Sequence, residues 1–89
     1  MADSIDELRT RIADRDRALL AALNERLELV AELRREKDRL GMPFLDPEQE
    51  RRVAEALVAA NAGPCSEDGV RELVDSLLAL KKRELERGR

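Results

Sequence analysis

The chain has 89 residues, enough for one domain, and a domain this small buries only part of its surface when it folds alone. Hydrophobic residues make up 43% and charged residues 42%, with Phe44 as the single aromatic, which is typical of long helices and excludes an all-β sandwich or barrel. Twenty acidic residues against 17 basic ones give a net charge of −3, which argues against a nucleic-acid surface.

The composition also excludes several kinds of chemistry. There is no histidine and only one cysteine, so the chain cannot form an internal disulfide, a cysteine-based zinc site or a His-dependent catalytic triad. We expect no metal and no cofactor. No apolar run approaches about 18 residues, and the N-terminal residues lack the basic start and apolar core of a signal peptide. We therefore expect a cytoplasmic protein with no membrane partner.

A long first helix is predicted from Ile5 to Arg39. Ser4 and Glu7 form a capping box in front of it, and neither glycine nor proline occurs before Gly41. At 1.5 Å per residue such a helix is about 52 Å long. A compact globule of this size has a radius of gyration of only about 12 Å, so a partner chain is expected.

A second helix is predicted at residues 47–61. The segment Gly41-Met42-Pro43 ends the first helix, and Asp46 can cap the second, with Gln49 closing another capping box. Gly63-Pro64 then ends the second helix.

A third helix is predicted at residues 67–86, with Ser66 as its cap. Apolar residues recur in it at steps of three or four: Val70, Leu73, Val74, Leu77 and Leu78. The sequence therefore predicts one all-α domain of three helices over residues 1–89.

Charged residues interrupt the apolar face of the first helix. In steps of three or four that face reads Arg9, Ile12, Asp16, Leu19, Leu23, Arg26, Val30, Leu33 and Lys37. A charge on a packed face costs several kcal/mol unless it is paired or binds something. These cations either extend to the edge of a coiled coil or line a polar pocket.

The second helix favours the pocket. Glu50 shares a face with Val53, Leu57 and Ala60, so a carboxylate also points inward beside apolar neighbours.

The spacing of the three cations predicts a dimer. Arg26 and Lys37 are about 16 Å apart along the helix, close enough for two long side chains to bracket a small dianion. Arg9 is about 25 Å from Arg26, so it can reach the same ligand only from an antiparallel partner. We expect an intertwined antiparallel homodimer with two-fold symmetry.

An ordered set of residues gives the chain a family resemblance over nearly its full length. The set is Leu8-Arg9-Thr10-Arg11-Ile12-Ala13-Asp14-Arg15-Asp16, Leu19-Leu20, Leu23-Asn24-Glu25-Arg26, Lys37, Asp46 and Glu50. It resembles the all-helical chorismate mutases of the AroQ class. The connecting segments are also similar to those of mutase domains fused to 3-deoxy-D-arabino-heptulosonate 7-phosphate (DAHP) synthases. The chain resembles either a free-standing mutase or an excised domain of that kind.

The resemblance implies an isomerase that rearranges chorismate, a dicarboxylate enol ether, to prephenate in phenylalanine and tyrosine biosynthesis. This pericyclic reaction needs no nucleophile, metal, cofactor or proton transfer. It needs the substrate held in a compact conformer with positive charge beside the ether oxygen.

The resemblance also implies a role for each matching residue. Arg26 and Arg9 of the partner subunit would bind the two carboxylates. Lys37 would contact a carboxylate and the ether oxygen. Asp46, through its backbone, and Glu50, through its side chain, would hold the ring hydroxyl.

Three positions depart from the family pattern. Gln49 stands where the family usually has arginine. Lys81 aligns with a position that is often serine, and either adds a cation or is solvated. Leu85 aligns with the Gln or Glu that completes the ether-oxygen site, although a one-residue slip would offer Glu84 instead. Loss of one such donor costs about 2.7 to 4 kcal/mol in the barrier.

Two alternatives remain open, and these departures motivate the first. One is a low-activity, mutase-like regulatory or scaffolding domain that binds prephenate, chorismate or a DAHP synthase. The other is an antiparallel coiled-coil dimerisation module whose inward charges form ion pairs between helices.

Overall fold

The structure, a computed structural model, describes the backbone of residues 2–88 and the side chains of residues 4–88. Within that range it contains three α-helices and no strand: α1 (Ala2–Arg39), α2 (Pro47–Ala60) and α3 (Glu67–Arg87). The predicted all-α class is confirmed. The chain divides into two units, a first unit up to Glu32 and a second unit from Leu33 onward. None of the helices in the described range is long and apolar enough to cross a membrane.

The start of α1 differs from the prediction. The helix begins at Ala2, so Ser4 lies inside it and does not cap it at Ile5. Alanine has the highest helix propensity of all residues, which favours extending the helix to the earlier start. The predicted end at Arg39 is confirmed.

A Schellman motif ends α1. The amide of Met42 donates to the carbonyl of Lys37 at 2.8 Å, and the amide of Gly41 donates to that of Asp38 at 3.2 Å. Gly41 adopts a φ of +70°, a conformation that costs glycine little because it has no Cβ. This motif fixes the backbone of the last turn of α1, where Lys37 lies.

Only one of the two hydrogen bonds predicted for the cap of α2 is found. Asp46 accepts a hydrogen bond from the amide of Gln49 at 3.1 Å, so its role as N-cap is confirmed. The side chain of Gln49 does not complete the box, because it accepts from Arg52 at 3.5 Å instead. The helix ends at Ala60, one residue earlier than predicted, with Asn61 as its C-cap.

The connection from α2 to α3 is held by side-chain hydrogen bonds. Asn61 accepts from the amide of Gly63 at 3.0 Å and donates to the carbonyl of Cys65 at 2.7 Å. Ser66 then caps α3, as predicted, by accepting from the amide of Gly69 at 3.0 Å.

The core of the second unit lies between α2 and α3. Val70 and Val74 of α3 are buried, and Val74 is only 1% exposed. The partly buried side of α2 carries Val53, Ala54 and Val58. The predicted face continued through Leu57 and Ala60, which are exposed. The partly buried stripe thus continues from Ala54 by four residues to Val58, rather than from Val53 by four to Leu57.

An exposed ion pair joins the same two helices. The guanidinium of Arg71 on α3 donates to Glu55 on α2 at 3.1 Å and also lies 3.6 Å from Glu67. The hydrogen bond to Glu55 is the main reason that the pKa of Arg71 is raised above its ordinary value.

The described residues of the first unit form one helix, and most of their apolar side chains are exposed. Leu19, the most exposed large one, is 68% exposed. The others are Ile5, Leu8, Ile12, Leu20 and Leu29. No side chain of residues 4–32 covers them.

Candidate active site

Three cations surround the ring of Phe44 in the second unit. Arg34 and Lys37 lie one turn apart near the end of α1, Phe44 lies in the connection to α2, and Lys81 lies on α3. The Arg34 Cζ is 5.2 Å, the Lys37 Nζ 5.9 Å and the Lys81 Nζ 5.4 Å from the ring centroid. The negative face of an aromatic ring attracts cations at such distances. We call these four residues the Phe44 cluster.

Lys37 is held in the cluster by a second contact. Its ammonium donates a hydrogen bond to the carbonyl of Phe44 at 3.4 Å, and the side chain is partly buried. Its backbone carbonyl accepts the bond from Met42 that closes α1. Lys37 is therefore fixed at both ends, which is the preorganisation that binding an anion requires.

A carboxylate on α2 borders the cluster. Glu50 is 24% exposed and lies 3.8 Å from the Lys81 ammonium and 3.7 Å from that of Lys82. Lys82 is 48% exposed, whereas Lys81 is only 12% exposed. The inward position predicted for Glu50 is thus found, and the solvated alternative for Lys81 is wrong.

Three cationic side chains lie close together around the Phe44 ring. Arg34, Lys37 and Lys81 all lie beside it, and Glu50 forms an ion pair with Lys81. Crowding like charges in a partly buried place is unfavourable unless an anion joins them. The cluster is suited to binding a small molecule with more than one negative charge.

Other predicted residues take places around the cluster. Asp46 caps α2 one turn before Glu50. Gln49 is exposed. Leu85 is partly buried on α3, one turn after Lys81, and its side chain has no group that can donate a hydrogen bond. Glu84 forms an ion pair with Arg87.

Arg9 and Arg26 belong to the first unit. The Arg9 side chain is 77% exposed, and its guanidinium lies 3.9 Å from the carboxylate of Asp6. Arg26 is partly buried. The convergence of these two arginines with Lys37 stays a prediction.

The sequence interpretation missed two members of the cluster, Arg34 and Phe44. The predicted face stepped from Val30 by three to Leu33, which is exposed. A step of four reaches Arg34, and a further step of three reaches Lys37, so the same periodicity contained the residue. Phe44 lies in a connection, where periodicity gives no information, but it is the single aromatic of the chain.

Comparison with known proteins identifies the family of this chain. The family model for chorismate mutase type II matches residues 8–85. A chorismate mutase from Thermus thermophilus has been solved in two forms, each 32% identical to this chain. Form I aligns over 86% of this chain and 96% of its own with a TM-score of 0.84. Form II aligns over 93% and 94%, with a TM-score of 0.87.

No curated protein sequence matches the chain. The family model covers most of the chain, and the two solved forms share its fold at 32% identity. The chain belongs to the chorismate mutase type II family.

Proposed function

We propose that the Phe44 cluster is where this isomerase binds chorismate and rearranges it to prephenate. The observation that carries the proposal is the set of three cations beside one ring, Arg34, Lys37 and Lys81, with Glu50 at its border. Chorismate carries two carboxylates and an ether oxygen that gains electron density in the reaction. A fixed set of cations complements all three groups.

The reaction breaks the ether C–O bond while a C–C bond forms between the side chain and the ring. Electrons move in one cyclic step, and no proton is transferred. The enzyme can lower the barrier by holding the substrate in the reactive chair-like conformer and by stabilising the developing charge on oxygen. Neither task needs a nucleophile, which agrees with a chain that has no histidine.

Within the cluster we assign Lys37 to the ether oxygen and to one carboxylate. Its ammonium is already held by the Phe44 carbonyl at 3.4 Å, so little reorganisation is needed when substrate binds. We assign the ring hydroxyl to Glu50 and to the backbone at Asp46, which lie one turn apart at the start of α2.

The remaining part of the proposal is a homodimer. We propose that Arg26 and Arg9 of the partner subunit bind the two carboxylates. The support is the exposed apolar side chains of the first unit, among them Ile12 and Leu19. An exposed apolar surface of this extent is typical of a protein interface, and a second copy of the chain would cover it.

The test is the loss of chorismate absorbance at a saturating concentration. We expect turnover well above the uncatalysed rate measured in buffer without protein. A rate no faster than buffer would exclude the enzymatic function and leave the regulatory or scaffolding alternative, which Gln49 and Leu85 motivate. In that case prephenate should still raise the melting temperature.

A DAHP synthase partner and a cytoplasmic location stay predictions from the sequence. Repeating the assay with and without a DAHP synthase tests the first. A partner that holds the site in its active geometry would raise kcat/KM, whereas an unchanged rate would contradict the prediction.

A further inference from the structure

We infer that Arg34 is a further substrate-binding residue of this pocket, donating to a carboxylate of chorismate. The inference rests on the proposed function of the Phe44 cluster. Arg34 has no role in the residue set that the family resemblance transfers to this chain.

The first observation is the state of the Arg34 guanidinium. Its Nε is buried and has no hydrogen-bond partner. Its two terminal nitrogens are accessible to solvent. They make no hydrogen bond to any residue that the structure describes. An arginine free to move would turn every N–H towards water, so holding this one with an unsatisfied donor is unfavourable.

The second observation is what holds Arg34 there. Its Cζ lies 5.2 Å from the centroid of the Phe44 ring, over the ring itself. A guanidinium over an aromatic face keeps its N–H groups in its own plane, where they remain available to a ligand. The terminal nitrogens can therefore form the two parallel hydrogen bonds that a carboxylate accepts.

The third observation is the position of Arg34 beside the other cations. Lys37 is one turn further along α1 and lies next to the same ring, as does Lys81 from α3. All three charges are thus within reach of one small dianion. Gln49, where the family usually has a cation, is neutral and exposed, and Arg34 supplies a cation from a different helix.

The test compares Arg34→Gln with Arg35→Gln. Arg35 is the adjacent residue of the same type on α1, and it is exposed, so the two variants change charge and helix propensity equally. A hydrogen bond to a charged group contributes enough free energy to change affinity by about 10- to 100-fold. We expect Arg34→Gln to raise KM for chorismate by that factor while kcat falls less, and Arg35→Gln to leave both unchanged.

A third variant separates binding from a purely structural role. Arg34→Lys keeps the charge but loses the two parallel N–H donors of the guanidinium. It should therefore recover part of the affinity for chorismate that Arg34→Gln loses. Melting temperatures without ligand identify any loss of folding. If Arg34→Gln matches Arg35→Gln in KM while the parent chain is active, the inference is wrong and the proposed function stands.

If the parent chain does not turn over chorismate, the proposed function fails and the rise in melting temperature with prephenate decides on Arg34. If prephenate raises the melting temperature of the parent chain and of Arg35→Gln but not of Arg34→Gln, Arg34 binds the ligand. No rise in the parent chain, or an equal rise in both variants, overturns the inference.

Discussion

The two units of the chain differ in how much of their apolar surface they bury. In the second unit Val70 and Val74 of α3 are buried in the core between α2 and α3, and Lys81 of α3 contributes to the Phe44 cluster. In the first unit most apolar side chains of α1, such as Leu19, are exposed. The second unit thus forms a core and a charged site within one chain, whereas the first leaves its apolar surface uncovered, which is the surface that the proposed dimer would bury.

The largest expected effect is on the charged site of the second unit. Lys37→Gln should lower kcat by about 100- to 1000-fold, because it removes the donor assigned to the ether oxygen. Steady-state kinetics with chorismate measures this, and Arg35→Gln serves as the matched control. A fall in kcat of less than about tenfold would contradict the assignment of Lys37 to the transition state.

The next effect tests whether the first unit completes the site from another chain. Arg9→Ala and Arg26→Ala should each abolish most activity. After subunit exchange between the two variants, half of the dimers are mixed and one pocket in each has both arginines, so about a quarter of the parent activity should return.

Native mass spectrometry can verify that exchange has taken place. Mixed dimers that remain inactive would rule out a pocket shared between chains.

A smaller effect concerns the exposed apolar face of the first unit. If a partner covers it, Leu19→Ala should destabilise the protein by about 2 kcal/mol or more, in a manner that depends on protein concentration. If the face remains exposed, the change should stay within about 0.5 kcal/mol. Urea unfolding at two protein concentrations distinguishes these outcomes.

Val74→Ala is the control for this measurement, because the side chain is 1% exposed within one chain. It should cost about 2 kcal/mol whether or not the chain dimerises.

The smallest effect separates two neighbouring lysines of the second unit. Lys81→Gln should lower kcat/KM about tenfold, since Lys81 lies beside the Phe44 ring and is 12% exposed. Lys82→Gln should change it by less than about threefold, because Lys82 is 48% exposed and its ion pair with Glu50 is screened by water. Equal effects of the two substitutions on kcat/KM would show that only net charge matters.

Much of the fold was predictable because its determinants are local. Helices start and stop where local conformations and hydrogen bonds among a few neighbouring residues require it. The residues that do this here are Gly41, Asp46, Gly63-Pro64 and Ser66. The start of α1 was missed because Ser4 can cap a helix but is also tolerated inside one. Glu50 was assigned inward from periodicity alone, and the structure agrees.

The sequence by itself determined three helices, their approximate bounds and a set of charges on their apolar faces. Only the tertiary structure decided which cations meet. Periodicity leaves a choice between steps of three and four, so Leu33 and Arg34 were equally compatible with the face of α1. Contact with Phe44, a residue in a connection, selects Arg34, and packing of α3 against α2 brings Lys81 to Glu50. Such contacts depend on the positions of whole helices, which no local pattern specifies.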